Sequence, residues 1–108
     1  MRRAILVAVA LSFFVVGKTV AGYRDGNELL SDCEGQARGA EDSQWGICLG
    51  YILGAYDALE STTCVPDVVK ASQLRDVVKI YLRNHPEERH HQASSLVVAA
   101  LKQAFPCN

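Results

Sequence analysis

Cysteine and histidine are the residues of this chain with the most chemical uses, and their spacing decides which uses are open to them. The sequence holds four cysteines and three histidines, namely His85, His90 and His91. Neighbouring residues of a helix point about 100° apart, so the last two histidines are badly placed to share a metal ion. No Cys-X-X-Cys, His-Glu-X-X-His or Gly-X-Ser-X-Gly motif is present. The spacing therefore predicts no metal site, no cofactor and no catalytic residue.

The N-terminus is typical of a secretory leader. Two arginines precede an uncharged apolar run of 14 residues, 4–17, which is shorter than the roughly 20 residues of a membrane-spanning helix. Small residues then offer a cleavage site after Ala21, with cleavage after Gly22 as the alternative. We predict a cleaved leader over residues 1–21 and one domain over residues 22–108. The domain is expected to be exported to a compartment where disulfides form, with no membrane attachment after cleavage.

The charge balance after the leader narrows the range of partners. Eight lysines and arginines stand against 12 aspartates and glutamates there, which gives a net charge of −4. Such a domain lacks the basic patch that nucleic acid requires, and anionic membrane surfaces repel it. The charge favours a basic protein as the partner. A domain this small also has a small core and usually needs cross-links such as disulfides for stability.

Apolar spacing after the leader predicts an all-α domain, a small bundle of four helices in two helical hairpins. The expected helices are 27–39 with Asn27 as its N-cap, 43–59, 71–84, and one from Pro86 to Ala104. The buried face of the second helix is predicted as Trp45, Cys48, Leu49, Ile52, Tyr56 and Leu59. The buried face of the fourth helix is predicted as Ala93, Leu96, Val97, Ala100, Leu101 and Ala104.

Gly46, Gly50 and Gly54 lie four residues apart along the second helix. Glycine inside a helix costs about 1 kcal/mol relative to alanine, so three of them need a physical reason. The absence of side chains leaves a groove into which another helix backbone can fit closely. We expect close helix packing along this row. The packing is expected within the chain, with packing across a homodimer as the alternative.

Four cysteines allow three pairings, and the predicted hairpins select one of them. Cys33 and Cys48 lie seven or eight residues on either side of a turn near residues 40–41, so they face each other across the first hairpin. Cys64 leads into the third helix and Cys107 follows the fourth, and the open end of the second hairpin brings these two together. We predict the disulfides Cys33–Cys48 and Cys64–Cys107.

Short motifs follow one another along the chain: Gly26–Leu30 (GNELL), Cys48–Gly54 (CLGYILG), Cys64–Pro66 (CVP), Tyr81–Glu87 (YLRNHPE) and Ala104–Cys107 (AFPC). Their order resembles the Rap/Tai family of type VI secretion immunity proteins over about residues 26–107. The resemblance implies a small periplasmic helical protein, commonly a homodimer. It also implies a protein that is no enzyme itself and binds and blocks a peptidoglycan amidase effector delivered by a sister cell.

The leading hypothesis is therefore an immunity protein that occludes the active-site groove of its amidase, and the alternative is a small periplasmic acid-stress chaperone. Blocking a groove favours a projecting segment held by rigid helices. The longest such segment precedes the third helix, and the residues expected to contact the effector are Glu60, Ser61, Thr62, Thr63 and Asp67. The alternative for this segment is a solvated connection. The next candidate surface is the basic side of the third helix: Arg75, Lys79 and Arg83.

Overall fold

The computed structural model describes residues 23–35 and 43–108. Within these residues the chain forms four α-helices, two short 3₁₀ turns and no β-strand. The helices are α1 (Gly26–Glu34), α2 (Ser43–Leu59), α3 (Ala71–Asn84) and α4 (Ala93–Ala104), and the 3₁₀ turns are Glu60–Thr62 and Pro86–Glu88. α1 packs mainly on α2, α3 packs mainly on α4, and the two pairs contact each other. The predicted all-α bundle of four helices is confirmed.

The predicted leader over residues 1–21, with its cleavage site, lies outside the described ranges. The prediction that the first helix continues to Gly39 is wrong, because α1 ends at Glu34 and Gly35 is its C-cap, with a non-helical backbone and an N–H that donates to the carbonyl of Asp32 at 3.3 Å. Among the residues that the structure describes, no helix is long and apolar enough to cross a membrane.

Local hydrogen bonds explain where α1 and α3 begin. The N-cap of α1 is Asp25, whose carboxylate accepts the backbone N–H of Glu28 at 2.8 Å. The prediction of Asn27 as the cap is therefore wrong by two residues. At the start of α3 the side chain of Gln73 accepts the backbone N–H of Lys70 at 2.8 Å. This bond closes the first turn of a helix whose bounds are the predicted ones.

The prediction that the fourth helix opens at Pro86 is wrong. Pro86 starts only a 3₁₀ turn, and α4 begins at Ala93. Between these two points, the carbonyls of Arg89 and His91 accept the N–H groups of the second and first residues of α1, at 2.9 and 3.0 Å. These long-range bonds occupy carbonyls that a helix starting at Pro86 would use internally. They also fix the N-terminal end of α1 against the chain that leads into α4.

The core lies where the four helices meet. Its buried side chains are Leu29, Leu30, Cys33, Cys48, Ile52, Leu74, Val78, Leu82, Ala93, Leu96, Val97, Ala100 and Leu101. α2 contributes only two of them, and the rest of its predicted buried face is half-buried: Trp45, Leu49, Tyr56 and Leu59. The neighbouring helices thus cover a narrow stripe of α2. The last residue of the predicted α4 face, Ala104, is exposed at the end of its helix.

Two disulfides and an ion pair close the fold. Cys33–Cys48 joins α1 to α2 inside the core, and Cys64–Cys107 joins the chain before α3 to the chain after α4; their Cα–Cα distances are 4.9 and 5.3 Å. Both predicted pairings are confirmed. Asp32, which is buried on α1, forms an ion pair with Arg24. The ion pair offsets the cost of burying the Asp32 carboxylate.

Candidate functional site

The segment between α2 and α3, residues 60–70, is held in place although most of it has no regular structure; we call it the connector. Thr62 Oγ1 and Thr63 Oγ1 each donate to a main-chain carbonyl three residues earlier, at 2.7 and 3.1 Å. These bonds close its first turn. Farther along, the disulfide between Cys64 and Cys107 ties it to the chain after α4. The connector can therefore present side chains to a partner with little further ordering.

Val68 lies at the tip of the connector. Its neighbours Val65 and Val69 are half-buried and pack against the core, and the N–H of Val69 donates to the carbonyl of Pro66 at 3.1 Å. The turn formed in this way leaves the Val68 side chain 85% exposed, beside the exposed Asp67. The connector thus has two apolar anchors turned inward and one apolar side chain turned outward.

The five connector residues predicted to bind a partner reach the surface unequally. Thr63 is half-buried, and the exposed ones are Glu60, Ser61, Thr62 and Asp67. Sequence reasoning missed Val68, because an apolar residue just before an amphipathic helix looks like part of the core. The turn signal of Pro66 and Asp67 was the available cue that the chain reverses there.

The glycine row of α2, formed by Gly46, Gly50 and Gly54, faces open space. A Cβ atom built on any of the three meets no atom of the described residues within 4 Å. The preferred expectation, packing against another helix of the same chain, therefore finds no support in the described part of the molecule. Ile47, the next residue after the first glycine, is 40% exposed on the same helix. Packing against a second copy is the form of the prediction that stays open.

The basic side of α3 is largely engaged within the chain. The guanidinium of Arg75 lies 5.3 Å from the ring centroid of Trp45 and donates to Asp76 at 3.0 Å. Arg83 donates to Glu34 of α1 at 2.9 Å. A partner that bound here would have to replace these contacts. This face is consequently a weaker candidate than the connector.

The corner after α3 gathers several polar groups. The ring of Tyr81 stacks on the imidazole of His85, with centroids 4.0 Å apart, and its hydroxyl donates to Glu88 at 2.6 Å. Burial raises the pKa of Tyr81 to about 12, and the hydrogen bond and negative charge of Glu88 add to this effect. Tyr81 and His85 also line a groove of about 250 Å³ between α3 and α4, which exposed Ile80 borders.

The prediction that His90 and His91 lie on a helix is wrong. His90 and His91 do not lie on a helix; they lie in the turn before α4, with their rings 4.2 Å apart and edge to face. His85 is grouped instead with Glu87 and Glu88, and one potential ligand atom from each lies within 4.8 Å of the others. The spacing of the three histidines relative to one another does not indicate this grouping.

Comparison with known proteins connects this fold to a family. A family model described as Rap1a immunity proteins matches residues 25–107, from the N-cap of α1 to the second cysteine of the connector disulfide. The chain belongs to the Rap1a immunity protein family. The suspected kinship is thereby confirmed. No curated protein matches the chain.

Membership in the Rap1a family gives the protein a general role. The family match supports the role of a type VI secretion immunity protein, whose partner is a secreted effector protein. Immunity proteins of this kind are generally not enzymes. The connector and both disulfides fall within the matched residues, so the candidate binding surface is part of the family domain.

Proposed function

We propose that this protein is a periplasmic immunity protein that binds a type VI secretion peptidoglycan amidase effector and inhibits it by occluding its active-site groove. The observation that carries the proposal is the family match over residues 25–107, which spans all four helices. The acidic charge of the domain supports a basic effector, because opposite charges speed and orient encounter. The amidase as the target class comes from the resemblance of the motif order to Rap/Tai proteins.

Inhibition is tested by titration of a purified type VI secretion peptidoglycan amidase with the purified protein. Release of stem peptides from peptidoglycan is expected to fall in proportion to added protein and to reach the blank at a fixed stoichiometric ratio. A muramidase acting on the same peptidoglycan serves as the control and keeps its activity. Full amidase activity in the presence of excess protein would contradict the proposal.

We place the effector contact on the connector, at Glu60, Ser61, Thr62, Thr63 and Asp67, with Val68 added. Its rigid anchoring supports this choice, since a rigid loop loses little conformational entropy on binding. Reversal of charge in the double variant Glu60→Lys/Asp67→Lys is expected to weaken binding while the melting temperature stays the same. Both side chains are exposed and neither takes part in an ion pair among the described residues.

Val68 offers a second test of the same surface with a matched control. Val68→Ala removes two methyl groups from the tip and is expected to weaken effector binding about tenfold, or about 1.4 kcal/mol. Ile80→Ala shortens another exposed apolar side chain, on α3, and is expected to leave binding unchanged. Calorimetric titration with the effector measures both. Equal affinities of the parent and the Val68 variant for the effector would indicate that the effector contacts a helical face instead of the connector.

We also propose that the protein is a homodimer in which the glycine rows of two α2 helices pack together. The exposure of Gly46, Gly50 and Gly54 supports this form of packing, because it leaves the close approach available to a second copy. Analytical ultracentrifugation of the purified protein is expected to give twice the mass of the domain. A monomer at all concentrations would contradict this part of the proposal.

The periplasmic location depends on the leader predicted over residues 1–21. Cell fractionation is expected to recover the protein from the periplasm, with Gly22 or Tyr23 as its first residue by N-terminal sequencing. An intact N-terminus in the cytoplasm would contradict the proposed location.

A further inference from the structure

The corner formed by His85, Glu87 and Glu88 brings three potential metal ligands together within four residues of chain. One nitrogen or oxygen atom from each lies within 4.8 Å of the others. Ligands of a tetrahedral zinc ion, bound at about 2.1 Å, lie about 3.4 Å apart. Binding therefore requires rotation of at least one side chain toward the other two. Glu87 is exposed and free to make such a rotation.

The hydrogen bond of the imidazole prepares it for coordination. Nδ1 of His85 lies 2.8 Å from the carbonyl oxygen of Tyr81. A carbonyl only accepts, so the nitrogen donates and the neutral ring carries its proton on Nδ1. Nε2 is then left with a free lone pair. Histidine ligands of metal ions commonly show this arrangement, in which the other ring nitrogen donates to a carbonyl or a carboxylate.

The two carboxylates are also arranged for a cation. The hydroxyl of Tyr81 donates to Oε2 of Glu88 at 2.6 Å and so fixes the orientation of this carboxylate. None of the ion pairs among the described residues involves Glu87 or Glu88. Two adjacent negative charges thus lie beside an imidazole lone pair with no cationic side chain bonded to them. A divalent ion would relieve their repulsion.

We propose that His85, Glu87 and Glu88 bind one divalent transition metal ion of the zinc class. One nitrogen and two carboxylate oxygens suit such an ion better than Ca²⁺ or Mg²⁺, which prefer oxygen ligands alone. Three protein ligands leave a fourth position open to water or to an acidic group of a partner. The bound ion joins the end of α3 to the 3₁₀ turn that follows it. Tyr81 is a positioning residue, since it acts on the ion only through Glu88 and His85.

The test is calorimetric titration of zinc ions alone into the untagged protein purified from the periplasm, with cobalt absorption in the visible range as a second readout. We expect one ion per chain and an intense cobalt spectrum of tetrahedral type. Glu87→Gln changes an exposed side chain, so the fold is kept, and it is expected to weaken zinc binding at least about tenfold. His85→Gln is expected to abolish the cobalt spectrum. Far-UV circular dichroism verifies that each variant is folded.

Matched variants distinguish this site from incidental binding. His90→Gln removes a nearby exposed histidine outside the proposed site and is expected to leave the zinc affinity unchanged. Tyr81→Phe removes only the hydroxyl and is expected to weaken zinc binding about 10- to 100-fold, the scale of lost outer-shell bonds. The proposal is overturned by absence of zinc binding in the parent, by zinc binding that survives His85→Gln, or by a loss of affinity in His90→Gln.

Discussion

Gly26, the first residue of α1, occupies a position where no side chain fits. A Cβ atom there would collide with Cδ1 of Leu96 and lie 2.9 and 3.0 Å from the carbonyl oxygen and Cα of Arg89. The leucine tip can turn aside, but the backbone of Arg89 is fixed by the hydrogen bond that its carbonyl accepts from α1. We therefore predict that Gly26→Ala destabilises the fold, whereas Gly50→Ala, on the side of α2 that is open in the single chain, stabilises the monomer.

The magnitudes follow from the two environments. Forcing an extra methyl group into a packed site costs about 1–3 kcal/mol. Replacing glycine with alanine also restricts the unfolded chain, which returns about 0.4–1 kcal/mol. The net loss at Gly26 is between about 0 and 2.6 kcal/mol, with a midpoint of about 1.3 kcal/mol. At Gly50 the new methyl group meets no described atom, so the helix propensity of alanine acts unopposed and adds about 1 kcal/mol.

Urea unfolding followed by circular dichroism at 222 nm measures the free energy of unfolding of the parent and both variants. The same chemical change is expected to shift the midpoint in opposite directions at the two sites, with equal slopes. In thermal unfolding each 1 kcal/mol corresponds to about 4–8 °C for a domain of this size. A Gly26→Ala variant as stable as the parent would refute the close approach of α1 to Arg89. A Gly50→Ala variant that is destabilised at concentrations at which the protein is monomeric would mean that the glycine row is packed inside the chain.

Three further changes test other parts of the fold. Asp32→Asn removes the charge paired with Arg24, and the free energy of unfolding in urea is expected to fall by about 1–3 kcal/mol; an unchanged midpoint would make the pair irrelevant. Replacing both Cys64 and Cys107 with serine removes a disulfide that closes a loop of 43 residues. Chain entropy predicts that the free energy of unfolding then falls by about 4 kcal/mol. A thermal midpoint equal to that of the parent would contradict this. Gly54→Leu is expected to keep the melting temperature of the dilute protein but to dissociate the dimer in ultracentrifugation, and a variant that melts early at every concentration would indicate packing inside the chain.

Some features of this fold are local and were predictable from residue spacing. The apolar stripe of α3 repeats with the helical period, and the helix covers the predicted residues 71–84. The cysteine pairing was predictable for a related reason. In an antiparallel hairpin, positions at equal distance from the turn lie side by side, so Cys33 and Cys48 meet whatever the details of the core.

The partner-binding segment was predictable only in part. The break between α2 and α3 is visible in the sequence, since Pro66 and a cysteine interrupt the helical spacing. Which side chain the break presents is not visible. Val65, Val68 and Val69 are chemically alike, and only the packing of the first and last against the core makes the middle one the exposed tip.

Helical period acts over a few turns of chain and hairpin symmetry acts over a pair of neighbouring helices, and for this reason the sequence by itself determined the helix class, α3 and the disulfide pairing. The start of α4 and the open side of α2 were decided by tertiary structure alone. The carbonyls of residues 89 and 91 are taken by α1, which lies more than 60 residues away in the chain. A glycine row is equally compatible with a buried or an open face until its neighbours are in place. Long-range hydrogen bonds and neighbouring backbones leave no periodic signature, so only the folded molecule shows them.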